Sequence, residues 1–241
     1  MKISTIIPAF NEERRLGETL HHINAALSAF PKRGWETELI VCDNNSKDKT
    51  AEIARAAGAK VVFEPINQIS RARNCGAAAA SGDWFIFVDA DSHPSPALFE
   101  SVAEQIASGN CMAGGCTVKF DGDYPKANLI IGLWNSISRS LSWMAGSFIF
   151  CEATAFRETG GFSQQLFAGE EIDLSIRLKR LARKRRKRIV ILRQHPLITS
   201  ARKIHLYTFR ELFGFTIKAS LFRNRTLSSR DACFTWYDGR R

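Results

Sequence analysis

At 241 residues, with 45% hydrophobic and 24% charged residues, the sequence has the composition of a globular chain long enough to bury a full core, which excludes a disordered or low-complexity protein. The net charge of +10 is unevenly placed: residues 1–120 hold 12 Lys/Arg against 14 Asp/Glu and residues 121–241 hold 22 against 10, so the second half invites an anionic partner. Six cysteines without a C-x-x-C pair, no long apolar signal region after Met1 and no run of ~20 apolar residues predict buried thiols, a cytoplasmic chain and no transmembrane helix.

Ile3 to Ile7 reads as a strand stopped by Pro8, and Leu16, Leu20, Ile23, Leu27 and Phe30 recur at helical spacing over residues 12–30. The loop between them, Pro8-Ala9-Phe10-Asn11-Glu12, contains no glycine, which argues against a dinucleotide fingerprint or a P-loop. A second strand, Glu38 to Cys42, ends on Asp43, and a polar turn leads into a helix at Thr50 to Ala57. Lys60 to Phe63 closes a β-α-β-α-β half, which predicts a parallel sheet with its strand ends on one edge.

Ser70 to Ala80 is an Ala-rich helix whose small residues suit close packing against a sheet. Arg71 and Arg73 fall in its first turn, where cations face the positive end of the helix dipole and call for a nearby anion; the alternative is two solvated side chains. Next comes the continuous apolar run Trp84-Phe85-Ile86-Phe87-Val88, the pattern of a strand covered on both faces. It ends in Asp89-Ala90-Asp91. Two carboxylates at i and i+2 on the carboxyl edge can offer hard oxygens to Mg²⁺ or Mn²⁺, or form a solvated turn before a helix at Pro96 to Ala107 capped by Ser92 or Ser95.

Beyond this the strict alternation lapses, which predicts a mixed sheet. Met112 to Phe120 and Phe148 to Cys151 read as strands, and residues 127–145 as an amphipathic helix with Leu129, Ile130, Leu133, Trp134, Ile137, Leu141 and Met144 on its apolar side. Gly169-Glu170-Glu171-Ile172-Asp173-Leu174 opens a further helix that runs into the basic stretch Arg177 to Arg188, and Ile189 to Leu192 returns to strand. The tail Tyr207 to Phe222 is amphipathic and aromatic, and Trp236-Tyr237 are expected to pack back on the domain. The expected organisation is one domain over 1–206 with a helical appendage over 207–241.

In order, Ile6-Ile7-Pro8-Ala9-Phe10-Asn11-Glu12-Glu13, Val41-Cys42-Asp43-Asn44-Asn45-Ser46 with Asp48, Ala72-Arg73-Asn74 with Gly76, Asp89-Ala90-Asp91, Gly161-Phe162, and Gly169 to Leu174 resemble the motifs of family-two glycosyltransferases of the GT-A fold, over residues 3–182. The resemblance implies an α/β, Rossmann-type mixed sheet, mostly parallel and flanked by helices. It implies an inverting transfer from a nucleoside-diphosphate sugar, expected to be UDP-linked, to an acceptor hydroxyl. Pro8, Ala9, Phe10, Asn11, Glu12 and Asp43 would then hold the donor nucleoside, with Arg71, Arg73, Asp89 and Ala90 also on the donor side and Arg73 near its phosphates. Asp91 with Asp89 would hold Mn²⁺ or Mg²⁺. Glu171 looks like the catalytic base, with Glu170 and Asp173 as alternates, because the family's usual Asp at that position is replaced by Glu. A carboxylate at a helix start is expected to have its charged form favoured, which suits a base.

The competing class is a basic binding protein without catalysis. No aromatic residues interleave the run Lys179 to Arg188, which disfavours nucleic acid, and a charge run is commonly a solvated helix face. The cluster Arg183 to Arg188, together with Leu212, Phe213, Phe215, Ile217, Leu221 and Phe222 flanked by Arg210, Lys218, Arg223 and Arg225, also suits peripheral docking on an anionic inner membrane face and a lipid-linked acceptor. The histidines His21, His22, His93, His195 and His205 form no H-E-x-x-H motif and predict no metal cluster. The oligomeric state is not read from the sequence.

Overall fold

The computed structural model describes residues 1–122, 124–201 and 226–237. Its elements are β1 (Lys2–Ala9), α1 (Leu16–Leu27), β2 (Glu36–Asp43), α2 (Thr50–Ala56), β3 (Lys60–Phe63), α3 (Ile69–Ala78), β4 (Trp84–Val88), β5 (Ser92–His93), α4 (Pro96–Ala107), β6 (Cys111–Phe120), α5 (Pro125–Leu141), β7 (Phe148–Glu152), α6 (Ala153–Glu158), α7 (Glu170–Lys184), β8 (Arg188–Thr199) and the single turn α8 (Phe234–Tyr237). Eight strands form one sheet in the order β3-β2-β1-β4-β7-β6-β8-β5. β1 to β4 are parallel, β7 runs antiparallel to both β4 and β6, and β8 is parallel to β6. This is the mixed α/β architecture expected from the sequence.

The apolar run of β4 is fully buried because its two sets of side chains feed two cores. Trp84, Ile86 and Val88 pack with Leu20, Ile23, Phe99 and Val102 under α1 and α4. Phe85 and Phe87 pack on the opposite face with Phe156, Phe162, Leu174 and Leu178. Period-two geometry therefore survives inside a run that shows no alternation in composition.

Pro8 does not stop β1. Pairing with β4 ends at Ile6↔Phe87 while pairing with β2 continues through Pro8↔Cys42 to Ala9↔Asp43, so the proline lies where β1 has one neighbour and the missing N–H spares a ladder bond. The α5 reading also changes. Leu129, Ile130 and Leu133 are exposed, whereas Ile131 and Trp134 pack on the core and Ser138 is buried. β7 pairs with β6 only over Ala113, Gly114 and Gly115, so beyond them β6 keeps β8 as its strand neighbour, with Val118 in register with Leu197, and the Val118 backbone takes further partners from elsewhere. The Asn135 side chain supplies them, accepting from Val118 N at 3.0 Å and donating to Val118 O at 2.9 Å. A polar residue thus turns inward because backbone groups in the sheet need partners.

Ser95, not Ser92, caps α4, its hydroxyl accepting from Leu98 N. The short elements β5 and α6 and the extension of β8 to Thr199 carry too few residues of one period to stand out in sequence. The segment Tyr207 to Phe222, with its flanking cations Arg223 and Arg225, lies outside the described residues, as do His205 and the Trp236 side chain. Residues 226–237 do pack inward: Phe167 N donates to Leu227 O at 2.7 Å, the Phe167 and Tyr237 rings meet edge to face, and Ile69 N donates to the Tyr237 hydroxyl at 3.3 Å. The described part of the tail thus lies beside the starts of α3 and α7.

Candidate active site

Parallel strands deliver their carboxyl ends to one edge, and the antiparallel β7 delivers its start to the same place. Four stretches converge there: the loop after Ala9, Asp43 and its turn, Asp89 to Asp91, and Gly146-Ser147 before β7. Asp89 N donates to Ser147 O across the β4–β7 boundary at 3.2 Å, and Thr19 on α1 holds Ala90 O at 2.8 Å.

The first two loops are fastened to one another. Asn11 has φ +52°, a left-handed conformation that an Asn tolerates; its backbone N–H donates to Ser46 Oγ and its side-chain oxygen accepts from Lys47 N. Glu12 N donates to Thr50 Oγ1 at 2.8 Å. The buried Asp43 side chain accepts from Ser46 N at 3.0 Å, which closes the turn after β2. Buried Asn44 then ties this turn to the next loop, donating to Glu64 O and Ile66 O and accepting from Gln68 N. Pro8, Ala9, Phe10, Asn11, Glu12 and Asp43 are thereby brought into one rim.

Arg73 is the hub. Its side chain is 2% exposed, and it donates to Glu170 Oε1, Asp89 Oδ1 and Gly146 O, each at 2.8 Å. Its Nε is buried without a partner among the described residues, and its guanidinium lies over the Phe162 ring, 5.2 Å from the centroid. The next residue, Asn74, grips the same turn by exchanging hydrogen bonds with Phe162 N and O. Gly161 has φ +68°, and an added Cβ there would meet Asn74 Oδ1 at 2.7 Å, so the turn needs glycine on both counts. The anion that the first turn of α3 calls for is supplied by the protein itself, as Asp89 and Glu170. Burial works against the Arg73 charge, but the carboxylates of Asp89, Glu170 and Glu171 outweigh it and hold the guanidinium above its ordinary value.

Arg71 goes elsewhere. Its Nη1 donates to Gln164 Oε1 at 2.8 Å and its Nε faces Glu64 at 3.4 Å, so no contact draws it toward Asp89.

The three acids at the start of α7 have different partners. Glu170 is buried and committed to Arg73. Asp173 is committed to Arg177, whose Nη2 lies 2.6 Å away one turn on. Glu171 is partly buried beside Gly146, where an added Cβ would lie 3.5 Å from its carboxyl carbon and 3.4 Å from Arg73 Nη2. Burial first, then the Glu170 carboxylate, push the Glu171 carboxyl well above its ordinary range, and Arg73 only partly offsets them. This corrects the expectation that the helix start favours its charged form: desolvation and a like-charged neighbour outweigh the helix dipole. The sequence does not single out Gly146 and Gln68, and it offers Asn44 and Phe162 only as members of motifs without a role, because all four act by contacting other site residues.

Asp89 keeps 27% of its side chain exposed although one oxygen is bound by Arg73, and Asp91 is partly exposed at the same edge, its backbone O accepting from Ser200 N. Two accessible carboxylates at the carboxyl edge, Asp89 with one oxygen left beside its Arg73 pairing, offer the oxygen ligands that a hard divalent cation takes.

The chain matches the model of glycosyl transferase family 2 over residues 4–162, and it belongs to that family. It is 33% identical over 123 residues to a dolichol-phosphate mannosyltransferase of Pyrococcus furiosus, a match covering 48% of this chain and 33% of that protein, so the matched part spans about a third of the relative's length. Among solved structures, the Pyrobaculum calidifontis mannosyltransferase PcManGT in complex with GDP-Man and Mn²⁺ superposes with a TM-score of 0.69 at 16% identity, covering 92% of this chain and 62% of that one. Staphylococcus aureus TarS 1–349 in complex with UDP-GlcNAc gives 0.65 at 20% identity, covering 98% and 69%. These likenesses establish the GT-A-like fold.

The ion pairs set a hierarchy of stability that unfolding measurements can read. Replacing Arg73 with Met strands Glu170 without its partner and is expected to cost about 3–5 kcal/mol in urea unfolding. Arg71→Met removes a partly exposed pair and should cost under about 1 kcal/mol. Equal losses would refute the central place given to Arg73.

Proposed function

We propose that the protein transfers a sugar from a nucleoside-diphosphate donor to an acceptor hydroxyl with inversion, Glu171 serving as general base. The observation that supports this reading is the division of labour among the α7 acids: Glu170 and Asp173 are held by arginines, while Glu171 stands beside Gly146 with its affinity for a proton raised. The acceptor oxygen forms its bond to the anomeric carbon as Glu171 takes the hydroxyl proton. The bond from that carbon to the phosphate oxygen breaks, and the nucleoside diphosphate leaves with the electron pair. A base whose affinity for protons lies above the ordinary carboxylate range is the stronger acceptor once it is ionised.

Asp91, with the free side of Asp89, would hold Mn²⁺ or Mg²⁺, which when bound neutralises charge on the diphosphate. Arg73 keeps Asp89 oriented, and Asp43 with the loop 8–12 forms the nucleoside rim. A UDP-linked sugar is the proposed donor, supported by the fold shared with the TarS complex, and the GDP-Man complex makes a GDP-sugar the comparison arm.

The name of the Pyrococcus relative supports a lipid-linked acceptor, met at an anionic surface. Among the described residues no helix is long and apolar enough to cross a membrane. The basic end of α7 remains the docking candidate, at reduced strength. Lys187 pairs with Glu152 and Arg185 with Glu158, while Arg183, Lys184, Arg186 and Arg188 stay exposed.

Glu171→Gln is expected to lower turnover by ~10²-fold or more with donor binding retained. The same variant has a stability signature. With the folded-state affinity for protons raised, the stability contributed by Glu171 is fully present below its unfolded pKa and is lost as pH rises through the folded one, so the Gln variant should overtake the wild type on the alkaline side. Unfolding curves across pH, together with an activity profile whose acid limb lies above the ordinary carboxylate range, check both statements. If Glu170→Gln or Asp173→Asn abolishes transfer while Glu171→Gln does not, the base is misassigned.

Asp91→Asn should remove the Mn²⁺-dependent part of UDP affinity in calorimetry, with GDP run in parallel. Unchanged metal dependence would remove Asp91 from the metal site. Co-sedimentation with phosphatidylserine vesicles is expected at low salt and should be lost at high salt. A protein that stays in the supernatant at low salt would direct attention to a soluble acceptor.

A further inference from the structure

Where α1 meets β5, three side chains that the sequence does not associate come together. Glu18 and His22 stand four residues apart on α1, one turn of one face. His93 comes from β5, the two-residue strand that follows Asp91 and pairs with Thr199 and Ile198 of β8. The His22 and His93 rings are stacked with centroids 4.6 Å apart and planes within 16°, and His93 Nδ1 lies 3.9 Å from Glu18 Oε1. One ligand atom from each of the three falls within 4.8 Å of the others. The histidines are thus not dispersed, as the sequence suggests, because β5 brings His93 back to α1.

We propose that Glu18, His22 and His93 form a second metal site, built for Zn²⁺ and separate from the carboxylate pair at the sheet edge. Two imidazoles and one carboxylate, with a fourth position open to water, make a donor set suited to Zn²⁺, whereas Mg²⁺ and Mn²⁺ favour oxygen ligands. Tetrahedral Zn²⁺ with bonds of about 2.0–2.1 Å holds its donors about 3.4 Å apart. The three groups need to close by up to about 1.4 Å and the two stacked rings to turn until their in-plane lone pairs converge, which side-chain rotation at an exposed Glu18 and partly exposed His22 and His93 can supply.

The position gives the ion something to do. Thr19, the neighbour of Glu18, already donates to Ala90 O from a buried position, so α1 touches the Asp89-Ala90-Asp91 turn from one side. A metal bridge from α1 to His93 would pin the segment immediately after Asp91 and clamp the turn at both ends. The ion is a staple for the strand end that carries the two carboxylates, and it takes no part in the transfer itself.

The test uses tag-free, metal-stripped protein titrated with Co²⁺ as the probe for Zn²⁺. One equivalent should give a visible ligand-field band without thiolate charge transfer and be displaced by Zn²⁺. His22→Gln and His93→Gln should each weaken binding by at least about tenfold, the lower end of what even outer-shell partners cost. Asp91→Asn should leave the band in place, and Zn²⁺ should raise the melting temperature of the wild type and of Asp91→Asn but not of His22→Gln. Circular dichroism confirms that the variants fold. No band, a band that survives the His22→Gln/His93→Gln double variant, or a band lost in Asp91→Asn would each overturn the proposal.

Discussion

A single guanidinium buried between two carboxylates fixes much of the site's geometry. Arg73 joins the end of β4, through Asp89, to the start of α7, through Glu170, and to the loop before β7, through Gly146 O. None of these elements adjoins another in sequence. A buried charge this well enclosed is a constraint more than a source of stability, since desolvation consumes much of what the pairing returns. Its value is geometric: each carboxylate that Arg73 holds is one whose direction is set before any ligand arrives. The same arrangement places Glu171, already desolvated by burial, beside the Glu170 carboxylate, and the two together raise its affinity for a proton. One ion pair therefore orients one acid and tunes another.

The parts of this architecture legible in the sequence were those with local grammar. The β4 run, the parallel half and the acids at the start of α7 declare themselves through continuous or periodic apolarity and through residue types that sit badly elsewhere. Arg73 announced that it needed an anion, but not that the anions would be Asp89 and Glu170, because that answer lies 16 and 97 residues away. The α5 stripe misled because hydrophobic periodicity assumes that cores recruit apolar side chains. Here an irregular β6 recruits Asn135 to satisfy Val118, and the helix turns accordingly. His93 and its two-residue strand fell below the length at which any period can be read. The helix dipole does favour a charged Glu171, but the few tenths of a kcal/mol, roughly, that it supplies at an exposed terminus cannot match desolvation beside a like charge.

The loops at the sheet edge show how a rim can be firm without regular structure. Asn44 reaches three backbone groups 20 to 24 residues away, and Gln68 passes the connection on to Gln164 O and Leu166 O in the segment leading to α7. Amide side chains act here as substitutes for missing strand pairing, each supplying both donors and an acceptor. The rim that would enclose a nucleoside and the helix that would carry a base are mechanically continuous through this relay.

The sequence distances in these contacts also bear on how the protein comes into being. Ile69 N meets the hydroxyl of Tyr237, 168 residues later, and the Arg73–Glu170 bond spans 97. On a ribosome, the β1–β4 half can pair and bury its core while the rest is still being made, but Arg73 must wait for Glu170, and Ile69 must wait for Tyr237. Closing such long loops costs entropy before any contact rewards it. The nascent first half therefore exists for a time with a cation in its interior and no counter-charge from α7, a state in which the Phe162 turn cannot yet be seated. Arg73 is seated, and the Phe162 turn with it, only after α7 has been made.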